Sequence, residues 1–159
     1  MTISLTLIRN FLVNSLKETS ADVSKRVAAK NMTETTQSAL LYARFRVNAP
    51  ELRDLVGEIE KRCPGHEELS EAYFHVRIGT NCFPRYISLL NDCYKTFFSS
   101  RQTLVSPLIN KKMAGIAAAS ANANDLVAFA RSSISDARSI CNDEYELFYA
   151  YFSTGEREI

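Results

Sequence analysis

Glycine and proline are scarce, at five and four residues in a chain of 159. Strand-dense folds spend both on tight turns, so the shortage favours long helices. Histidine is scarcer still. Any Cys/His or Ser/His nucleophile pair would have to use His66 or His75. No G-x-x-x-x-G-K-[ST], G-x-G-x-x-G, G-x-S-x-G or H-E-x-x-H occurs, which leaves the common phosphate-binding, dinucleotide, hydrolase and metalloprotease chemistries without their residues. No apolar run reaches the roughly 18–20 residues needed to span a bilayer. The N-terminal MTISLTLIRNFLVNSL is interrupted by Arg9, Asn10 and Asn14 and lacks a cationic lead, so it reads as an amphipathic helix and not as a secretory signal. A formal charge of +1 gives no pull toward nucleic acid or anionic lipid, and Lys95, Arg101, Lys111 and Lys112 are too sparse for a nucleic-acid footprint.

What is present is an ordinary globular balance, 46% hydrophobic and 23% charged, in a length that suits one domain or a piece of a larger one. The four cysteines, 63, 82, 93 and 141, are widely spaced, a usage that suits reduced and mostly buried thiols in a cytosolic protein. The strongest pattern lies between Tyr86 and Ile109. There Tyr86, Leu89, Leu90, Cys93, Tyr94, Phe97 and Phe98 recur at three- and four-residue steps, and Asn91, Asp92, Lys95, Ser99 and Arg101 are assigned to the water-facing side. So many aromatics on one stripe predict a core helix.

The remaining segments follow the same logic. Thr2 to about Ala29 carries a stripe of Ile8, Phe11 or Leu12, Ser15 or Leu16, and Val23, with Lys25 and Arg26 placed where cations favour the helix dipole. Thr33 or Thr35 is the cap of a second helix whose apolar face is Leu41, Phe45, Leu52, Leu55, Val56 and Ile59. Pro50 predicts a kink or break near Ala49, and Ser106-Pro107 predicts another kink before the Ala-rich stretch 113–123. Asp125 is the cap of a last helix with a single stripe through Leu126, Phe129 or Ala130, Ile134, Ala137, Ile140 or Cys141, Tyr145, Phe148 and Tyr151 or Phe152. The expected fold is all-α, an elongated bundle of four or five long amphipathic helices. Residues 63–86 are expected to form a loop or insertion.

Two clusters invite a chemical reading. Cys63, His66, His75 and Cys82 supply the ligand types of a tetrahedral zinc site, making a small zinc-binding regulatory domain the alternative function. Their spacing, C-x2-H-x8-H-x6-C, matches no common finger, so ordinary loop residues are the preferred reading. Asp143, Glu144 and Glu146 resemble an acidic site, but beside Tyr145 and Phe148 a solvated helix face accounts for them better.

Three longer runs carry a resemblance. LYARFRVNAPELRDLVGEIEKR (41–62), LLNDCYKTFFSSRQTLVSPLI (89–109) and ICNDEYELFYAYF (140–152), preceded by LIRNFLVNSL (7–16), resemble subunit 3 of the conserved oligomeric Golgi complex, in the same order along the chain. The residues that match are Arg44-Phe45-Arg46 with Pro50, Leu89-Leu90-Asn91-Asp92, Arg101, Pro107, Cys141 with Asp143-Glu144, and Leu147 and Phe152. The resemblance implies a non-enzymatic helical-rod subunit of a vesicle tether that is peripheral on Golgi membranes and acts in intra-Golgi retrograde transport. It implies as partners the other subunits of the complex, SNAREs, Rab GTPases and coiled-coil tethers, with no cofactor. Members of the family are far longer, so the chain is read as an internal piece whose apolar stripes stay partly uncovered when it is isolated.

Overall fold

In a computed structural model, the structure describes residues 2–28, 33–61, 83–123 and 125–152. All of its regular structure is α-helical: α1 (Thr2–Ala28), α2 (Glu34–Glu60), α3 (Phe83–Ala123) and α4 (Leu126–Tyr151). Among the described residues there is no strand.

The caps follow local chemistry. The Thr33 hydroxyl accepts from the Thr36 backbone N–H, and the Asp125 carboxylate accepts from the N–H groups of Val127 and Ala128. Each satisfies donors that the first helical turn would otherwise leave without a partner. Neither interior proline ends its helix: α2 passes through Pro50, and α3 passes through Pro107 to Ala123. Both prolines are exposed, as are Arg46 and Thr103 four residues before them, so the hydrogen bonds that each proline removes lie on an outward side of the helix. The expected break at Ala49 therefore does not occur. The Ala-rich stretch is the last quarter or so of α3, which begins at Phe83 and so includes the end of the expected 63–86 loop.

Side-chain pairs fix the directions. Arg44 on α2 meets Asp22 on α1 while Asn48 meets Thr19, so the two helices run antiparallel. Arg101 on α3 meets Leu41 on α2 while Tyr94 meets Glu60, which is again antiparallel. Arg101 meets Glu144 on α4 while the Tyr94 ring packs tilted against Phe152, so α3 and α4 form an antiparallel hairpin. The result is an up-down-up-down arrangement in which α2 and α3 touch all the other helices and α1 does not touch α4.

The core lies at one end. Leu12, Leu16 and Val23 of α1 pack with Leu41, Phe45, Leu52, Val56 and Ile59 of α2, Leu89, Cys93, Phe97 and Leu104 of α3, and Leu147 and Tyr151 of α4. Phe97 is at its centre, with rings of Phe148, Tyr151 and Phe152 at centroid distances of 5.3–6.1 Å. The length of α3 has a consequence. At about 1.5 Å per residue its 41 residues reach roughly 60 Å, against roughly 40 Å for α1 and α2. Beyond Leu108, no described residue is buried until Leu147, so the distal part of α3 and most of α4 form a two-helix arm projecting past the core.

Phe97→Ala is expected to destabilise the chain by about 4 kcal/mol, because it removes the ring that three others surround. Chemical denaturation followed by circular dichroism measures this; Ile134→Ala on the arm, tested alongside, is expected to change stability by less than about 1 kcal/mol.

Candidate interaction surface

At the root of the arm a charge is buried in apolar surroundings. The Arg101 side chain is 4% exposed, with its guanidinium 4.8 Å from the centre of the Tyr42 ring and 4.7 Å from that of Phe45. Its Nε and Nη2 donate to the two oxygens of Glu144 at 3.0 and 2.6 Å, and its Nη1 donates to the Leu41 carbonyl at 2.7 Å. One turn along α2, the Tyr151 hydroxyl donates to the Phe45 carbonyl at 2.7 Å. Thus α3 and α4 each hang a donor on α2, from carbonyls four residues apart. A fork-on-carboxylate pair resists rotation as well as separation, so it fixes the register of α3 against α4. Burial pushes the Tyr42 and Tyr151 phenols well above the ordinary tyrosine range, and the Glu144 carboxylate adds to the effect at Tyr42.

This placement corrects two expectations. Arg101 is not on the water-facing side of α3. It stands four residues after Phe97 on the buried face, a step that the periodicity already contains. Glu144 is a bound partner and not part of a solvated face; Glu146 pairs with Arg46 on the exposed side, and Asp143 is half-buried. Other matched residues are spread through the bundle. Arg44 holds Asp22, whose carboxyl lies below the usual range because it accepts hydrogen bonds from Arg26 and Arg44. Asp92 pairs with Arg9, Leu89 is buried, Leu90 is half-buried and Asn91 is exposed. Leu147 and Phe152 are buried, and Pro50 and Pro107 are exposed.

Above the node a groove of about 730 Å³ opens between α3 and α4, lined chiefly by Phe98, Val105, Ile109, Ile140, Tyr145 and Phe148. It runs into an apolar row along the outer side of α4: Val127, Ala130, Ile134, Ala137, Cys141 and Tyr145 are all exposed. Val127, Ile134 and Tyr145 stay at 67%, 68% and 63% exposure. The sequence pattern on α4 is therefore two stripes and not one. Phe129, Ser133, Asp136, Ile140, Asp143 and Leu147 turn inward at three- and four-residue steps, and the outer row is left open. Cys141 is exposed, contrary to expectation, whereas Cys93 is buried and its thiol is pushed up to about 11, chiefly by burial.

Cys63, His66, His75 and Cys82 lie outside the described residues. Among the described residues no group of three or more His, Cys, Asp or Glu is placed to hold a metal ion. No helix among them is long and apolar enough to cross a membrane.

The family described as conserved oligomeric Golgi complex subunit 3, C-terminal, matches residues 38–159, from the first turns of α2 through the node and the arm. The chain belongs to that family. Among its relatives, conserved oligomeric Golgi complex subunit 3 of Homo sapiens is 27% identical over 150 residues, covering 94% of this chain and 16% of the relative. The subunit 3 of Saccharomyces cerevisiae is 29% identical over 154 residues, covering 94% and 18%. That of Aedes aegypti is 22% identical over 156 residues, covering 96% and 15%. The chain thus spans less than a fifth of the length of these relatives. No solved structure matches it.

Arg101→Ala is expected to cost about 3 kcal/mol, because it leaves Glu144 and the Leu41 carbonyl without their donor in a low-dielectric site. In a denaturant double-mutant cycle with Glu144→Gln, the two losses should be far from additive. Additivity would show that the pair does not act as a unit. Thiol labelling mapped by peptide mass should modify Cys141 readily in the folded chain at pH 8 and Cys93 only on unfolding. The raised Cys93 value has a further sign. Its stabilising contribution is complete below the ordinary thiol value of 9.0 and is lost as pH rises through about 11.

Proposed function

We propose that this chain acts as a non-enzymatic segment of a Golgi vesicle-tethering subunit, making helix–helix contacts through the α3–α4 arm. The observation that supports this most is the open outer row of α4 running into the α3–α4 groove. A protein that leaves Val127, Ile134 and Tyr145 of α4 in water, while packing Phe97 and Phe45 fully in the core, retains an apolar surface for something else to cover. Family membership supplies the setting: the relatives are named as subunits of a Golgi complex, so the other subunits are the first partners proposed for this surface. Location on the cytosolic side of Golgi membranes, intra-Golgi retrograde transport, and engagement of SNAREs, Rab GTPases and coiled-coil tethers are the parts of the reading that rest on the family resemblance alone.

The contact reading also fits the polar groups. The buried Arg101 is bound to Glu144 and Leu41, and aromatic rings cover it, so it is spent on structure and offers no open position to a reacting molecule. The groove beside it is lined mainly by carbon, as contact surfaces between helices are.

The test is co-assembly. Tagged chain expressed in cells is expected to co-purify with other subunits of the complex, identified by mass. Ile134→Ser with Tyr145→Ser is expected to lower that recovery by about tenfold or more while leaving the helical spectrum unchanged. Full recovery with the doubly substituted chain would refute the arm as the contact surface.

A further inference from the structure

The outer row of α4 has a charged edge that the bundle does not use. Counted in sevens, Val127, Ile134 and Cys141 share one position of a heptad, and Ala130 and Ala137 share the position three residues on. Together they form an a/d seam, exposed along its whole length. The next position holds Arg131 and Arg138, with Tyr145 following in register. Both arginines are exposed, and neither makes an ion pair or side-chain hydrogen bond among the described residues. Elsewhere on the chain, Arg9, Arg26, Arg44, Arg46 and Arg101 all have carboxylate partners. Among the described residues Arg53 and Arg85 also lack a carboxylate partner, but only Arg131 and Arg138 flank the open seam, seven residues apart.

We infer that the outer seam of α4 is completed by an amphipathic helix of a partner protein, its apolar face on Val127, Ile134 and Cys141 and its flanking edge carrying Glu or Asp opposite Arg131 and Arg138. In coiled-coil packing the residues beside the seam choose the partner by charge, and two cations one heptad apart call for anions at the same repeat. Alanine at 130 and 137 lets the incoming backbone approach closely along the seam.

A second copy of this chain fits poorly. Antiparallel pairing sets arginine against arginine. Parallel pairing sets Arg131 and Arg138 against the position occupied by Ser133 and Ile140, which carries no anion. An anionic bilayer is also a poor fit. Two cations supply only a weak attraction to acidic lipid, and the seam presents Ala at two of its five positions where a membrane-inserting face would carry large side chains.

The inference rests on the arm being a contact surface and adds the chemistry of what contacts it. The test uses the full 159-residue chain and two synthetic helices with the same Leu/Ile seam, one with Glu and one with Lys at the flanking positions. Fluorescence anisotropy at low salt is expected to show about tenfold tighter binding of the Glu helix, with the gap closing as salt is raised. Arg131→Glu with Arg138→Glu should invert the preference, and because both positions are exposed the variant should keep its fold. Equal binding of the two helices, or a Glu preference that survives the double substitution, overturns the charge pairing. If Ile134→Ser still weakens both helices, the contact surface itself stands. If neither helix binds and phosphatidylserine vesicles do, the inference and the protein-contact reading fail together.

Discussion

Arg101 is the residue on which the geometry of the described chain depends. A guanidinium placed among Tyr42, Phe45 and Leu41 is costly to desolvate and is tolerated only if its donors are met. Glu144 meets two of them in a fork and the Leu41 carbonyl a third, so α2, α3 and α4 must hold one mutual register for the charge to be satisfied. Apolar side chains alone allow a helix to slide by a turn at modest cost, because one leucine replaces another. A buried charge with one carboxylate in reach does not. The Tyr151 hydroxyl on the Phe45 carbonyl repeats the constraint one turn away, between α4 and α2.

The position of that lock divides the molecule. On one side of it lie Phe97, Leu147, Tyr151 and the four-helix core; on the other, α3 and α4 continue as a pair, with none of the described residues between Leu108 and Leu147 buried. A two-helix hairpin covers one stripe of each helix and cannot cover two. Yet α4 carries two, an inner one through Phe129, Ser133 and Ile140 and an outer one through Val127, Ile134 and Cys141. A helix with a part-polar inner stripe and an open apolar outer row has two contact faces, as the middle member of a three-helix layer has. Arm and lock are therefore complementary: the surface left open by the arm is held in fixed orientation because its root cannot rotate.

The parts of this arrangement visible in the sequence are those set by local chemistry. Helix content, the caps Thr33 and Asp125, and the buried stripe through Leu89, Cys93 and Phe97 depend on neighbours within a few residues, and the pattern states them. What was misread depends on partners far along the chain. Arg101 looks like a surface cation until Glu144, 43 residues away, is brought beside it. Pro50 reads as a kink or a break, and the course of α2 shows that the helix continues through it. Leu126, Ile134 and Tyr145 look like core because periodicity reports that a face is apolar, not whether another segment of the same chain arrives to cover it. The separation of α4 into two stripes was nonetheless in the numbers. Positions 129, 133, 140 and 147 and positions 127, 134 and 141 cannot share one face of a helix.

The division between lock and arm bears on how such a segment can work inside a much longer subunit. A contact surface drawn from the fold's own core could be altered only at the expense of stability. Here the two are separated in space: the core residues Phe45, Phe97 and Tyr151 make no part of the outer seam, and Val127, Ile134, Arg131 and Arg138 make no part of the core. Substitutions on the seam can therefore change the partner while the bundle persists, and substitutions in the core unfold the chain without speaking to the partner. The arginine pair sharpens this separation. Neither arginine meets a carboxylate among the described residues and both are exposed, so the pair stays available to an anion from outside.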